Sequence, residues 1–206
     1  MTAIQKVQPV VEKVLVITAV MIAAAGLGLL AVNSWEKIYF RFHWNYVESA
    51  VLTVIKNFSA EPLLYHDFQF SPYILNPYTP LYYWASIFLS RFFGDGFVCG
   101  RLLSVASTIG LLGCFFLIIR RHLSGKTTAF LFSAILALNP SVGGYWVEMR
   151  PDLMALFFQI AGIFCLFEGE RGPSERVIFR SAAFLCFLLA RSRLYSSVCV
   201  VNWITS

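Results

Sequence analysis

Long apolar runs separated by short charged segments dominate the pattern of this chain. Residues 14–32 are 19 consecutive positions without a charge, about 28 Å as a helix at ~1.5 Å per residue, enough for one membrane crossing. Further runs follow at 99–119, 127–147 and 149–167, and a fifth starts near residue 177 and continues toward 205. The segment 33–97 has a different character. Within it Val47, Ala50, Val51, Val54, Ile55 and Phe58 recur at helical spacing, which predicts an amphipathic helix lying flat on the membrane surface. Residues 78–93 are apolar and aromatic but only 16 long, with Arg91 near their end. They read as an interfacial helix rather than a crossing, with Tyr82, Tyr83 and Trp84 at headgroup depth. The expected fold is all-α: a polytopic transmembrane helical protein with interfacial amphipathic helices in a large first external loop. Loops of this length are usually functional or disordered, and this one is too aromatic for disorder.

Composition supports the membrane reading. Apolar residues are 58% of the chain and charged residues 13%, against about 25% charged in soluble domains. A water-facing globule, a disordered chain and a small disulfide scaffold are all excluded. The net charge of +5 does not point to nucleic acid, because the bases sit in connecting segments: Arg120, Arg121 and Lys126, then Arg171, Arg176 and Arg180. Such placement is what the positive-inside rule produces, so these segments are expected in the cytoplasm. Lys6 and Lys13 put the N-terminus there too, ahead of a first run that reads as a retained signal anchor, with no small-x-small cleavage site before Asn33. Residues 33–97 and 139–152 are then extracytoplasmic in a multi-pass protein of the cell (inner) membrane. A crossing at 78–93 would flip every later loop, which the charges oppose. Cys99, Cys114, Cys165, Cys186 and Cys199 lie in apolar runs without CxxC spacing and read as small hydrophobes.

A few polar residues need a reason. Glu48 opens the amphipathic helix, where a carboxylate is favoured by the positive helix end whatever its chemistry. In Glu148-Met149-Arg150-Pro151-Asp152, Pro151 suits a first helical turn. Arg150 and Asp152 either snorkel and pair with each other, or form a polar site in which arginine holds a phosphate by forked hydrogen bonds. Ionisable groups at the mouth of an apolar span favour the second reading. His43 and His66 lack zinc-like spacing, so no metal site is assigned; a carboxylate pair with a histidine could hold a divalent cation, which no spacing here demonstrates. Tyr65, Tyr73, Tyr78, Tyr82 and Tyr83 form an aromatic belt or stack a sugar. Gly143-Gly144 and Gly125-Lys126-Thr127-Thr128 both lack the spacing of a phosphate loop.

The order of several short motifs resembles a known family. After the first span come Tyr46-Val47-Glu48, Glu61-Pro62-Leu63-Leu64-Tyr65-His66-Asp67 and Asn76-Pro77-Tyr78-Thr79-Pro80-Leu81-Tyr82-Tyr83. Gly100-Arg101-Leu102-Leu103-Ser104 and Arg150-Pro151-Asp152-Leu153-Met154-Ala155-Leu156 follow. Over residues 10–170 this is similar to the N-terminal part of the GT-C membrane glycosyltransferases, in the group of protein mannosyltransferase-like and lipid A aminoarabinose transferase-like enzymes. The resemblance implies a polyprenyl-phosphate-linked sugar as donor, and a glycan, lipid or protein acceptor met on the extracytoplasmic face. It implies Glu48 as the catalytic base, in place of the family's Asp-Glu pair, with Asp152 orienting the acceptor or assisting. Arg150 and Arg101 are then expected on the donor phosphate, and Asp67, Tyr82 and Tyr83 on substrate, with inversion at the anomeric carbon. Thr79-Pro80-Leu81-Tyr82 stands where many relatives have Pro-Pro-Leu-Tyr. Relatives are much longer and continue differently from Ala190-Arg191-Ser192-Arg193-Leu194-Tyr195, so a truncated or frameshifted, inactive product is expected. The rival expectation is a non-enzymatic membrane protein, a transporter fragment or assembly subunit. A transporter should carry polar groups deep in several spans and an internal repeat; here polar groups gather at the outer ends and no repeat is visible.

Overall fold

The computed structural model describes residues 3–60, 80–94, 96–122, 125–139, 145–168 and 173–190. Asp67, His66 and the tail from Arg191 onward lie outside the described residues. Among those described there are seven helices and no strand: α1 Ala3–Ile38, α2 Tyr46–Ala60, α3 Pro80–Phe93, α4 Phe97–His122, α5 Lys126–Leu138, α6 Pro151–Glu168 and α7 Pro173–Ala190. Residues 11–38 of α1, the whole of α4 and the whole of α6 are long and apolar enough to cross a membrane. The first of these shows Leu15, Ile22, Leu29 and Val32 at 60–67% exposure, an apolar surface suited to hydrocarbon. This is a membrane protein with an all-helical fold.

Polar contacts at both ends of α4 set how it lies against its neighbours. Arg101, one turn into α4, reaches the carbonyls of Lys37 and Phe40 at the end of α1. At the opposite end of α4, Arg121 pairs with Glu168, the last residue of α6, and the His122 and Phe167 rings meet at 4.7 Å. Thus α4 and α6 run parallel, and the end of α1 meets the start of α4 at one end of the bundle. A lone crossing by α3 between them would have put those ends on opposite sides.

The run at 127–147 is not one continuous helix. α5 stops at Leu138 because Pro140 pushes Asn139 out of helical geometry, to φ −60°, ψ 118°. Thirteen residues rise only about 20 Å, short of the ~30 Å hydrocarbon thickness. Irregular backbone carries the chain onward at Trp146–Arg150. Non-helical backbone at membrane depth survives only where protein covers it and satisfies its polar groups. Trp146, Val147 and Met149 are each 3% exposed or less. The Trp146 indole N–H donates to Ala137 O at 2.7 Å, closing off the end of α5. Arg150 N–H donates to the Ser104 hydroxyl of α4 at 3.2 Å. The run at 149–167 likewise becomes a helix only from Pro151.

The apolar stripe of α2 is covered by protein instead of lying on lipid. Val51, Val54 and Ile55 pack with Tyr82 and Tyr83 of α3 and with Met149 and Met154; Ala50, expected on that stripe, is exposed. Tyr82 and Tyr83 are 1% exposed, so they are core residues and not the headgroup belt or sugar platform their chemistry suggested. The Tyr82 hydroxyl donates to Gly100 O at 3.0 Å. The opposite face of α3, Trp84, Phe88 and Phe92 at i, i+4 and i+8, is apolar and 56–68% exposed.

Side chains pack directly onto the helix backbone where Gly100 and Gly110 of α4 meet Met149 and Phe157. A Cβ at Gly100 would collide with Cγ, Sδ and Cε of Met149, and Met149 is fully enclosed. Gly100→Ala should therefore cost about 1–3 kcal/mol. Gly113→Ala, with nothing within 4 Å, should be neutral or stabilising. Reversible unfolding in mixed micelles compares the two; equal stabilities would show that the Gly100 contact is loose.

Candidate functional site

The site grows from the start of α2. Asn45 accepts the Glu48 N–H on its side-chain oxygen at 3.2 Å, and Glu48 Oε2 reaches back to accept the Trp44 N–H at 2.8 Å. This is the reciprocal logic of a capping box, which closes a helix N-terminus with its own side chains. The Asn45-x-x-Glu48 spacing carried that signal, and the helix-end reading of Glu48 alone missed it.

Folding adds the partner. Arg101 lies side-on against Glu48, Nε to Oε1 at 3.0 Å and Nη2 to Oε2 at 2.7 Å. The Met149 N–H also donates to Oε1, at 2.8 Å. Both carboxylate oxygens thus accept two hydrogen bonds each. Arg101 is equally engaged: its remaining three N–H groups go to the carbonyls of Lys37, Phe40 and Phe42 at 2.6–2.9 Å. Five donors meet five acceptors, which uses all that a guanidinium has. Both side chains are 0% exposed. Burial alone would raise the Glu48 pKa, but the hydrogen bonds from Arg101, Trp44 and Met149 and the arginine charge outweigh it, and the carboxyl sits below its ordinary value of 4.5.

This geometry departs from the sequence expectation at two residues. Glu48 was expected as a base, yet its carboxylate is enclosed, anchored four times and held in its weakly basic form. Arg101 was expected on a phosphate, yet it has no donor left to give. Together they clamp the end of α1, the start of α2, α4 and the chain leading into α6.

A second polar group lies beside the clamp and is less enclosed. Glu148 Oε2 accepts from the Asn45 side-chain amide and from Arg150 Nε at 2.8 Å. The Arg150 and Glu148 side chains are 22% and 14% exposed. The Arg150 guanidinium lies 4.0 Å over the Tyr145 ring, and its two terminal nitrogens take no acceptor among the described residues. Asp152, partly exposed, stands in the first turn of α6. Glu48, Arg101, Arg150 and Asp152 therefore all belong to one end of the bundle, linked through Met149 and Arg150. His43 is exposed, and no three His, Cys, Asp or Glu among the described residues converge as a metal ion requires.

The sequence assigned no role to Asn45 or Ser104, and it singled out Glu148 with its charged segment but not as the partner of Asn45 and Arg150. Ser104 left no linear signal, because its partner is a backbone 46 positions away. Comparison of this chain with known protein families, with curated proteins and with solved structures finds no match.

Proposed function

We propose that this chain is part of a GT-C-like membrane glycosyltransferase that takes a sugar from a polyprenyl-phosphate donor and passes it to an extracytoplasmic acceptor. The observation that carries this reading is Arg150: a largely buried guanidinium, fixed by Glu148 and Tyr145, whose terminal nitrogens take no acceptor among the described residues at the head of α6. A departing lipid phosphate is a stable anion that needs positive charge rather than a proton. A forked arginine and the adjoining helix N-terminus supply that charge in a partly dry setting. A sugar hydroxyl is a poor nucleophile and needs a carboxylate to take its proton. Asp152, two residues from Arg150, fills that role in place of Glu48. The hydroxyl proton passes to Asp152 as the new glycosidic C–O bond forms. The anomeric carbon–phosphate oxygen bond breaks with its electron pair leaving on the lipid phosphate, and configuration inverts. Glu48 and Arg101 hold the segment that carries both groups.

Arg150→Ala, in full chain reconstituted into liposomes with a polyprenyl-phosphate sugar, should weaken donor binding about 10- to 100-fold, the scale of charged hydrogen bonds. Lysine at the same position should restore only part of it, lacking the fork. Unchanged donor affinity in Arg150→Ala would rule out the phosphate contact. The non-enzymatic reading is favoured by one observation, the fully satisfied Glu48–Arg101 pair, which is what packing alone would build. The two readings part on the wild-type chain: a packing role predicts no donor binding at all.

A further inference from the structure

Two arginine–glutamate pairs meet at this end of the bundle, and they are built differently. Arg101 lies side-on to Glu48, with Nε on one carboxylate oxygen and Nη2 on the other. Arg150 touches Glu148 through Nε alone, at 2.8 Å to Oε2. Arginine–carboxylate pairs are frequently two-pronged, and Glu148 has a second oxygen, Oε1, that takes no donor among the described residues. A third group holds this pair open.

That group is Asn45. Its Nδ2 donates to Oε2 of Glu148, the same oxygen that Arg150 Nε reaches. Turning the carboxylate to bring Oε1 onto a terminal nitrogen of Arg150 would break this bond. The amide is held at its other end too, where its oxygen accepts the Glu48 N–H at the start of α2. A backbone N–H requires the amide oxygen and a carboxylate requires the amide N–H, so both neighbours fix one orientation. The backbone beneath is tied down as well: the Met149 N–H donates to Glu48 and the Arg150 N–H to Ser104. Aspartate would cap α2 as well as asparagine does but brings no donor to Glu148. Serine caps equally well, yet offers one oxygen where two separate atoms are needed.

We infer that Asn45 is a positioning residue for the donor site: by holding Glu148 on one oxygen, it keeps the fork of Arg150 open for two oxygens of a lipid-linked phosphate. The inference rests on the donor role proposed for Arg150, and it adds what leaves that arginine available when Arg101 is not.

Asn45→Ser and Asn45→Asp test it in the full chain in nanodiscs, since both keep the helix cap and remove the amide donor. The first readout needs no sugar donor. Phenylglyoxal condenses with the terminal nitrogens of a guanidinium, so its rate of attachment, followed by peptide mass spectrometry, reports whether each fork is open. In the parent, Arg150 should react and Arg101, with every donor engaged, should not. Either Asn45 variant should slow the reaction at Arg150 about tenfold, the scale of one hydrogen bond to a charged group. The second readout is the Kd for a polyprenyl-phosphate sugar, which should weaken about tenfold in Asn45→Ser. Adding Glu148→Gln to Asn45→Ser should recover most of that loss, because a neutral amide competes less for the fork; a capping role alone predicts no recovery. An unreactive Arg150 in the parent, unchanged reactivity in both variants, or a loss that Glu148→Gln fails to relieve overturns the inference and leaves the donor reading standing. Slowed reactivity with no donor bound by any chain, the parent included, supports the hold of Asn45 on Glu148 and sinks the donor reading instead.

Discussion

Replacing Arg101 with alanine should destabilise the folded chain by roughly 3–5 kcal/mol, the usual cost of stranding one partner of a buried ion pair. The loss has two sources. Glu48 keeps its charge at 0% exposure with only the Trp44 and Met149 amides to hold it. The carbonyls of Lys37, Phe40 and Phe42 lose their donors as well. Reversible unfolding of the full chain in mixed micelles measures the effect. The double variant Glu48→Gln with Arg101→Met should lose less than the two single changes summed, because the stranded charge is gone. A loss under about 1 kcal/mol for Arg101→Ala would mean the clamp contributes no more than an exposed pair does. Acid provides a second check. The Glu48 pKa is lower in the folded chain than its ordinary 4.5, so its stabilisation is complete above about that pH. It should drain away as the pH falls through the lower folded value, and this acid sensitivity should shrink in Arg101→Ala.

Asp152→Asn should lower sugar transfer by about 10²- to 10⁴-fold, the range for removing a general base, while donor binding stays near wild type because Arg150 is untouched. Asparagine keeps the shape and polarity of the side chain at the first turn of α6 but cannot take a proton at neutral pH. The measurement is a split one: donor Kd from equilibrium binding, and rate from release of lipid phosphate in a single turnover. Undiminished turnover removes Asp152 from the chemistry. Glu48→Gln discriminates further. As a positioning residue, Glu48 should lose stability and activity together. An inactive Glu48→Gln chain with unaltered unfolding would return the base role to Glu48.

The hydrophobic pattern was enough for the helical class, the three helices long and apolar enough to cross a membrane and the amphipathic helix at Tyr46–Ala60, because each is written in local period and run length. It was enough, too, to single out Glu148–Asp152 as a charged mouth on an apolar helix. The run at 127–147 reads as one span, although Asn139-Pro140 and Gly143-Gly144 are local breakers; α5 ends at Leu138, and hydropathy could not see that Trp146 and Val147 beyond it are covered by protein. Nor could it tell that the stripe of α2 faces Tyr82 and Tyr83 rather than lipid; both surroundings reward the same residues. The pairing of Glu48 with Arg101 was decided by tertiary structure alone. They stand 53 positions apart, and a charge in an apolar chain can be a reactive group or a filled ion pair. Which of these it becomes depends on how many donors and acceptors the fold brings within 3 Å, a quantity fixed by packing between helices and not by any spacing along the chain.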